Sequence, residues 1–293
     1  MGVSLNECLL RKICDYLNLK FSAVLSRGLL FRPGQVLKTG SGEISVFSEG
    51  FSDSIDFTDG GKRESFVFSL KMRTGGDRAA SRYRVCEILE HICRSLRTAA
   101  DFSAGEGNEF LYFDLAEGTK LVSRGVNGDE LYSAKMRMRF DRKGTGCGLY
   151  FVNVTPKASQ ARFLPLGRWM SLFSEKEDPV IFSWQYLNRG NIYREALGIR
   201  SSLSFKGYLK DSDEVGTFFE SFRRKTGAEA VTSVAEYTGT GTPSAGIPCS
   251  GILYSAVPEI RKIVRAGKES IIEGEILFSG PGISSVFTPA EIV

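Results

Sequence analysis

Apolar residues recur along the chain with two different periods, and the period assigns each stretch. Leu5, Leu9, Ile13 and Leu17 return every fourth position, which puts them on one face of a helix. Ser4 and Glu7 have capping-box spacing at its start, and Asn18 suits its end. After a turn at Arg32-Pro33-Gly34, residues 43–51 predict a strand. Asp59-Gly60-Gly61 is a strong turn signal. Beyond it Phe66, Phe68, Leu70 and Met72 alternate with Val67, Ser69, Lys71 and Arg73, so a half-buried strand closes a hairpin. Gly75-Gly76-Asp77 predicts the opening of a long helix, with Asp77 as N-cap and Ala80, Tyr83, Leu89, Cys93 and Leu96 as its apolar side. Strands are predicted over 109–115, 120–124 and 131–140. In the last, Tyr132, Ala134, Met136, Met138 and Phe140 face one way, and Ser133, Lys135, Arg137 and Arg139 the other. Helix, two strands, helix, three strands is an α+β order: one antiparallel sheet covered by two helices.

Glycine punctuates the join. Gly144, Gly146 and Gly148 mark a break, Leu149–Val154 reads as a short strand, and Thr155–Ala161 as linker. The expected organisation is therefore a domain over 1–143, a linker over 144–161 and a second domain over 162–293. In the second domain, Phe163–Phe173 is apolar and aromatic, Glu175–Pro179 reads as a charged turn, and Val180–Tyr186 as a strand. Ile199, Leu203, Phe205 and Leu209 give the next strand an apolar face, and Gly207 within it signals a bulge or a close backbone approach. Asp211–Glu214 supplies a cap and first-turn acids for a helix whose Val215, Phe218, Phe219 and Phe222 share one side. Arg223, Arg224, Lys225 and Gly227 suit its end. Strands follow over 230–237, 251–257, 259–265 and 269–278. The Thr238–Ser250 loop is rich in Gly, Thr and Pro. It lacks the Gly-Lys-Ser/Thr ending of a phosphate-binding loop, and reads as a connecting or intersubunit loop.

Composition removes several function classes. The net charge of +4, from 38 basic and 34 acidic residues, is too mild for a nucleic-acid-binding face. The stripe Lys135, Arg137, Arg139 offers a contact for phosphate or an acidic partner, or simply the solvated face of a sheet. No apolar run reaches the roughly 20 residues of a membrane-spanning helix. The N-terminus lacks signal-peptide features, and Asn6 stands where a myristoylation motif wants Ser or Thr, so a cytoplasmic start is expected. The six cysteines form no CxxC pair and read as reduced thiols. His91 is the single histidine, which removes most catalytic triads and imidazole-based metal sites, and no G-x-S-x-G motif is present. Glu273 and Glu275 share one side of a strand, as in a solvated strand or a glycosidase pair. No catalytic residue, metal or cofactor is expected.

Two resemblances follow from these elements. The Asp59-Gly60-Gly61 turn, the Phe66–Arg73 strand and the helix opened by Gly75-Gly76-Asp77 resemble the tail terminator (minor capsid) proteins of long-tailed phages. The run Glu195-Ala-Leu-Gly-Ile-Arg-Ser-Ser-Leu-Ser-Phe-Lys-Gly-Tyr, then Asp213-Glu-Val-Gly-Thr-Phe-Phe, Lys225-Thr-Gly and Glu273-Gly-Glu-Ile-Leu-Phe-Ser-Gly280, is similar to phage tail tube proteins. The second resemblance covers roughly residues 180–280. It implies a C-terminal β-sandwich or barrel with one flanking helix. It also implies a structural virion protein of a tail, stacking as homo-hexameric rings that form or terminate a DNA-conducting tube. Partners would be further copies, other tail or head–tail connector proteins, and DNA as non-specific cargo. The site would be the tail of a virion assembled in the host cytoplasm, without a membrane. Under that reading Trp169, Phe173, Trp184, Tyr186, Thr240, Pro243 and Ile247 are candidate subunit-interface residues. Two other classes stay open: a β-rich module of a tail or baseplate that binds carbohydrate or a partner protein, with Trp169 and Trp184 as its aromatics, and a hydrolase.

Overall fold

The computed structural model describes residues 4–21, 30–34, 43–74, 79–144, 148–152, 161–185, 192–210, 217, 219–221, 232–237, 244–279 and 282–292. Most of them lie in strands, gathered into two sheets, with few helices. Contacts divide the chain into two compact units: Met1–Ile55 with Lys62–Arg142, and Asp56–Gly61 with Lys143–Val293.

In the first unit α1 (Leu5–Phe21) buries Leu9, Ile13 and Leu17 completely, as their spacing dictates. The Ser4 hydroxyl accepts from the Glu7 N–H at 3.3 Å, the expected first half of the capping box. The helix passes Asn18 and runs on to Phe21, because the Asn18 amide has another task. Its Oδ1 accepts from Phe31 N–H at 2.8 Å and its Nδ2 donates to Phe31 O at 3.0 Å. Those groups belong to β1 (Leu30–Pro33), a short edge strand that lies where only a turn is expected. Pro33 is tolerated there because an edge has backbone positions that need no donor.

β1 runs parallel to β2 (Glu43–Asp56), so the sheet is mixed rather than purely antiparallel. Its order is β1-β2-β3-β5-β4, with β3 at Lys62–Arg73, β4 at Asn108–Arg124 and β5 at Glu130–Arg142. β4 is one strand where two are expected; bulges around Glu117 and Leu121 absorb the break in alternation. The second helix, α2, spans Ala79–Arg97; the expected cap Asp77 lies outside the described residues. Phe66, Phe68, Leu70, Phe113, Met136, Met138 and Phe140 form the sheet's fully buried face, and α1 with Leu89, Ile92 and Leu96 of α2 packs on it. Each such side chain stabilises by about 1.5–3 kcal/mol.

In the second unit, β6 (Gly148–Val152), β7 (Ala161–Pro165), β8 (Met170–Gln185), β9 (Ile192–Lys210), β10 (Thr232–Tyr237), β11 (Cys249–Ala266), β12 (Glu269–Phe278), β13 (Ile283–Phe287) and β14 (Pro289–Ile292) form one sheet. Its order is β14-β7-β6-β10-β11-β12-β9-β8, with β13 beside β11. Glu175–Pro179 is not a turn but the middle of β8, paired with Ile199–Leu203. Glu175–Pro179 is exposed throughout, so no apolar alternation betrays the strand. β11 joins the two runs predicted over 251–257 and 259–265 across Pro258, with a bulge between Ile260 and Lys262. β13 and β14 were not anticipated. The predicted helix is described only at Thr217 and Phe219–Ser221, which are helical; Phe219 is fully buried, its ring 5.3 Å from Phe205. Gly207 is a close approach, as expected: a Cβ there would meet Met170 Sδ at 3.0 Å. Leu164, Leu166, Trp169, Leu203, Phe205, Ile272 and Ile276 are among the core residues of this unit. In the Asp56–Gly61 turn, Thr58 N–H donates to the Met170 carbonyl at 2.9 Å, and Gly61 N–H to Asp59 Oδ1 at 2.8 Å.

Candidate functional site

The seven expected interface residues fall in different places. Trp169 is 7 % exposed and belongs to the core of the second unit, so it offers no surface to a subunit or a sugar. Its neighbour Arg168 sits with the guanidinium 5.8 Å from the indole ring. Phe173 and Trp184 lie in β8, opposite Phe205 and Tyr193 of β9. Ile247 stands 59 % exposed in the turn before β11. Tyr186, Thr240 and Pro243 lie outside the described residues.

What β8 and β9 build together is more informative than any one of these residues. Pairing of β9 with β12 ends at Ser202–Leu277. The β8–β9 ladder continues for nine further pairs, from Glu177–Ser201 to Gln185–Ile192. Among the described residues, the far part of this hairpin is a two-stranded ribbon reaching about 30 Å past the sheet. Every residue from Ser174 to Ile181 is exposed, as are Ser183, Arg194 and Glu195, so both faces of β8 are open over Ser174–Ile181. Val180 and Ile181 are 42 % and 51 % exposed. A two-stranded ribbon alone in water is marginally stable at best.

At the root of the ribbon the sheet curls around a cleft of about 260 Å³. Leu203, Tyr254 and Phe278 give it an apolar floor, the two rings 4.9 Å apart. Glu175 and Glu177 of β8 and Glu236 of β10 supply carboxylates, and Lys176 of the same lining is paired with Asp178 at 2.6 Å. Tyr254 Oη donates to Glu236 Oε2 at 3.4 Å. Burial pushes the Tyr254 hydroxyl pKa up, and the Glu236 and Glu175 charges add to it. Just beneath, Glu275 is buried, accepting from the Ser202 hydroxyl and pairing with Arg261.

The polar side of the first unit's sheet is neutralised from within. Arg63 is fully buried and binds Asp141 through Nε at 2.7 Å and Nη2 at 2.8 Å. Arg139 pairs with Asp53, and Lys135 lies 3.5 Å from Glu49 and 3.9 Å from Glu117. Arg137 is exposed, opposite Asp114 on β4. The basic stripe seen in the sequence is thus largely compensated and makes a poor phosphate surface.

Sequence reasoning missed one cluster. Glu130 is buried at the start of β5, with Arg82 Nε and Arg124 Nε each at 2.9 Å and Tyr132 Oη donating at 2.8 Å; Arg73 binds Asp129 at 2.6 Å beside it. The partners come from α2, β3, β4 and β5, so no local spacing announces them. This is a clamp between elements, with its carboxylates buried and the Arg82 and Arg124 side chains reaching in from the surface.

Chemistry elsewhere is sparse. His91 is exposed at the edge of the Phe21 ring, 6.2 Å away. Burial pushes the Cys14 and Cys93 thiols up to about 12, which keeps them protonated and inert. Among the described residues no group of three or more His, Cys, Asp or Glu is placed to hold a metal ion, and no helix is long and apolar enough to cross a membrane. No protein-family model matches the chain, and no curated protein matches its sequence.

Proposed function

We propose that the chain is a structural virion protein of a phage or phage-like tail, self-assembling into six-fold rings that form or terminate a DNA-conducting tube. The β8–β9 ribbon carries this reading. It projects past its sheet, exposes both faces of β8 over Ser174–Ile181 and shows Val180 and Ile181 to solvent. A second copy covering the ribbon would stabilise what is marginal alone. A contact between two different patches of one chain is also what a closed ring needs. The curled second sheet, with helical residues at Phe219 against Phe205, fits a β-sandwich or barrel with one flanking helix. The work is geometric rather than enzymatic: copies hold a lumen, other tail or head–tail connector proteins meet the ring, and DNA passes as non-specific cargo.

The test is a Val180→Lys/Ile181→Lys variant compared with the wild type by sedimentation velocity. The wild type should sediment as a ring-sized species. The variant should stay monomeric, with its stability within about 0.5 kcal/mol of the parent because both positions are on the surface. A wild type that is monomeric at high concentration contradicts the proposal, and a variant that assembles normally removes the ribbon from the contact.

A further inference from the structure

Strand β11 passes an acid-rimmed cleft near one end and turns into a hairpin with a basic tip at the other. Near one end Tyr254 lies in the cleft described above, whose rim is Glu175, Glu177 and Glu236 and whose floor is apolar. In a flat sheet β8 and β10 would stand four strands, about 19 Å, apart. The curl brings their carboxylates around one aromatic floor. Such a recess suits a lysine or arginine side chain, with the stem against the rings and the cation at the rim. Near the other end β11 turns into β12 at Gly267, whose φ of 65° allows the tight hairpin. The paired arms from Glu259 to Glu275 hold four acids, Glu259, Glu269, Glu273 and Glu275, and four cations, Arg261, Lys262, Arg265 and Lys268, which gather at the tip: residues 261–268 contain all four and no acid. Lys262 is exposed, and the Arg265 side chain is 69 % exposed while reaching Glu220.

The hairpin cannot enter its own cleft. Tyr254 and Lys262 are eight residues apart on one extended strand, about 26 Å, several times the reach of a lysine side chain. Arg261 and Arg265 reach Glu275 and Glu220 within one copy, but the hairpin tip and the cleft can meet only between copies. We infer that the acidic cleft of one copy receives the basic β11–β12 hairpin of the next, in a head-to-tail contact. This rests on the self-assembly reading and names a second pair of surfaces for it. A contact of this kind closes into a ring or extends a stack, according to its rotation. Its charges set orientation and encounter rate, so assembly should weaken as salt rises.

Charge reversal tests it by sedimentation velocity over a concentration series. The full chain is prepared as wild type, as the hairpin variant Lys262→Glu/Arg265→Glu, as the cleft variant Glu175→Lys/Glu236→Lys, and as the combination of all four changes. Each two-site variant should need at least about 10-fold more protein to assemble than the wild type. The four-site variant, with both charges reversed, should recover most of that loss. Recovery also shows that the two-site variants lost a contact and not their fold. If the wild type assembles and the two-site variants assemble equally well, the contact is overturned while the ring proposal stands. Loss in both two-site variants without recovery in the four-site chain also overturns it. A wild type that never assembles removes both.

Discussion

Arg63 and Asp141 show how much can rest on one pair. The guanidinium has no exposed surface, and the carboxylate facing it across β3 and β5 is nearly as buried. Removing one partner strands the other charge out of water, which typically costs about 3–5 kcal/mol. Asp141→Asn should therefore lower the unfolding free energy by about that amount in urea titration, and Arg63→Met/Asp141→Leu should recover most of it. Glu49 and Asp53 act through pH. The Ser69 hydroxyl is the largest influence lowering the Glu49 pKa, followed by Lys135 and Lys71. Burial pushes Asp53 up, but Ser52, Arg139 and Ser65 together outweigh it and leave its pKa lowered. A carboxyl whose pKa is lower in the folded state adds stability above its unfolded pKa and loses it as pH falls through the folded one. The urea midpoint should thus fall as the pH drops below about 4, and Glu49→Gln/Asp53→Asn should flatten that fall.

At the scale of elements, glycine and bulges decide how the strands run. Gly274 of β12 pairs with Ile260 where β11 is bulged, and a Cβ there would meet Glu259 O at 2.6 Å and Phe205 Cζ at 2.8 Å. The backbone oxygen cannot give way, so Gly274→Ala should destabilise the second unit by about 1–3 kcal/mol in thermal melts. A melt like that of the wild type would mean that β11 yields there. Gly50, at φ 94° within β2, marks a similar break: Glu49 reaches Lys135, whereas Phe51, two residues on, packs against Phe66. These features also explain which elements the sequence announces. Strands with one buried face, such as β3 and β5, alternate cleanly and were legible. The end of β8 was legible as the strand from Val180, but its middle, Glu175–Pro179, was not, because it is exposed and charged, and alternation records burial rather than pairing. β1, β13 and β14 are four or five residues long, too short to establish a period.

For the whole molecule, legibility divides between core and surface. The two apolar cores lie where the sequence puts apolar residues, from Phe66 and Met138 in one unit to Leu203 and Phe205 in the other. The candidate site was harder to read. Aromatic residues were taken as surface, but Trp169 is interior, since a large ring is as useful to a core as to an interface. The cleft gathers Glu175, Glu236 and Tyr254 from β8, β10 and β11, and only the curl of the sheet makes them neighbours. The hairpin proposed to meet it was legible only as strands over 259–265 and 269–278. Ring assembly is what the proposed function requires of this chain. Electron-microscope class averages of the purified full chain test it most directly: closed rings with six-fold symmetry are predicted, and fields of single copies at every concentration would contradict it.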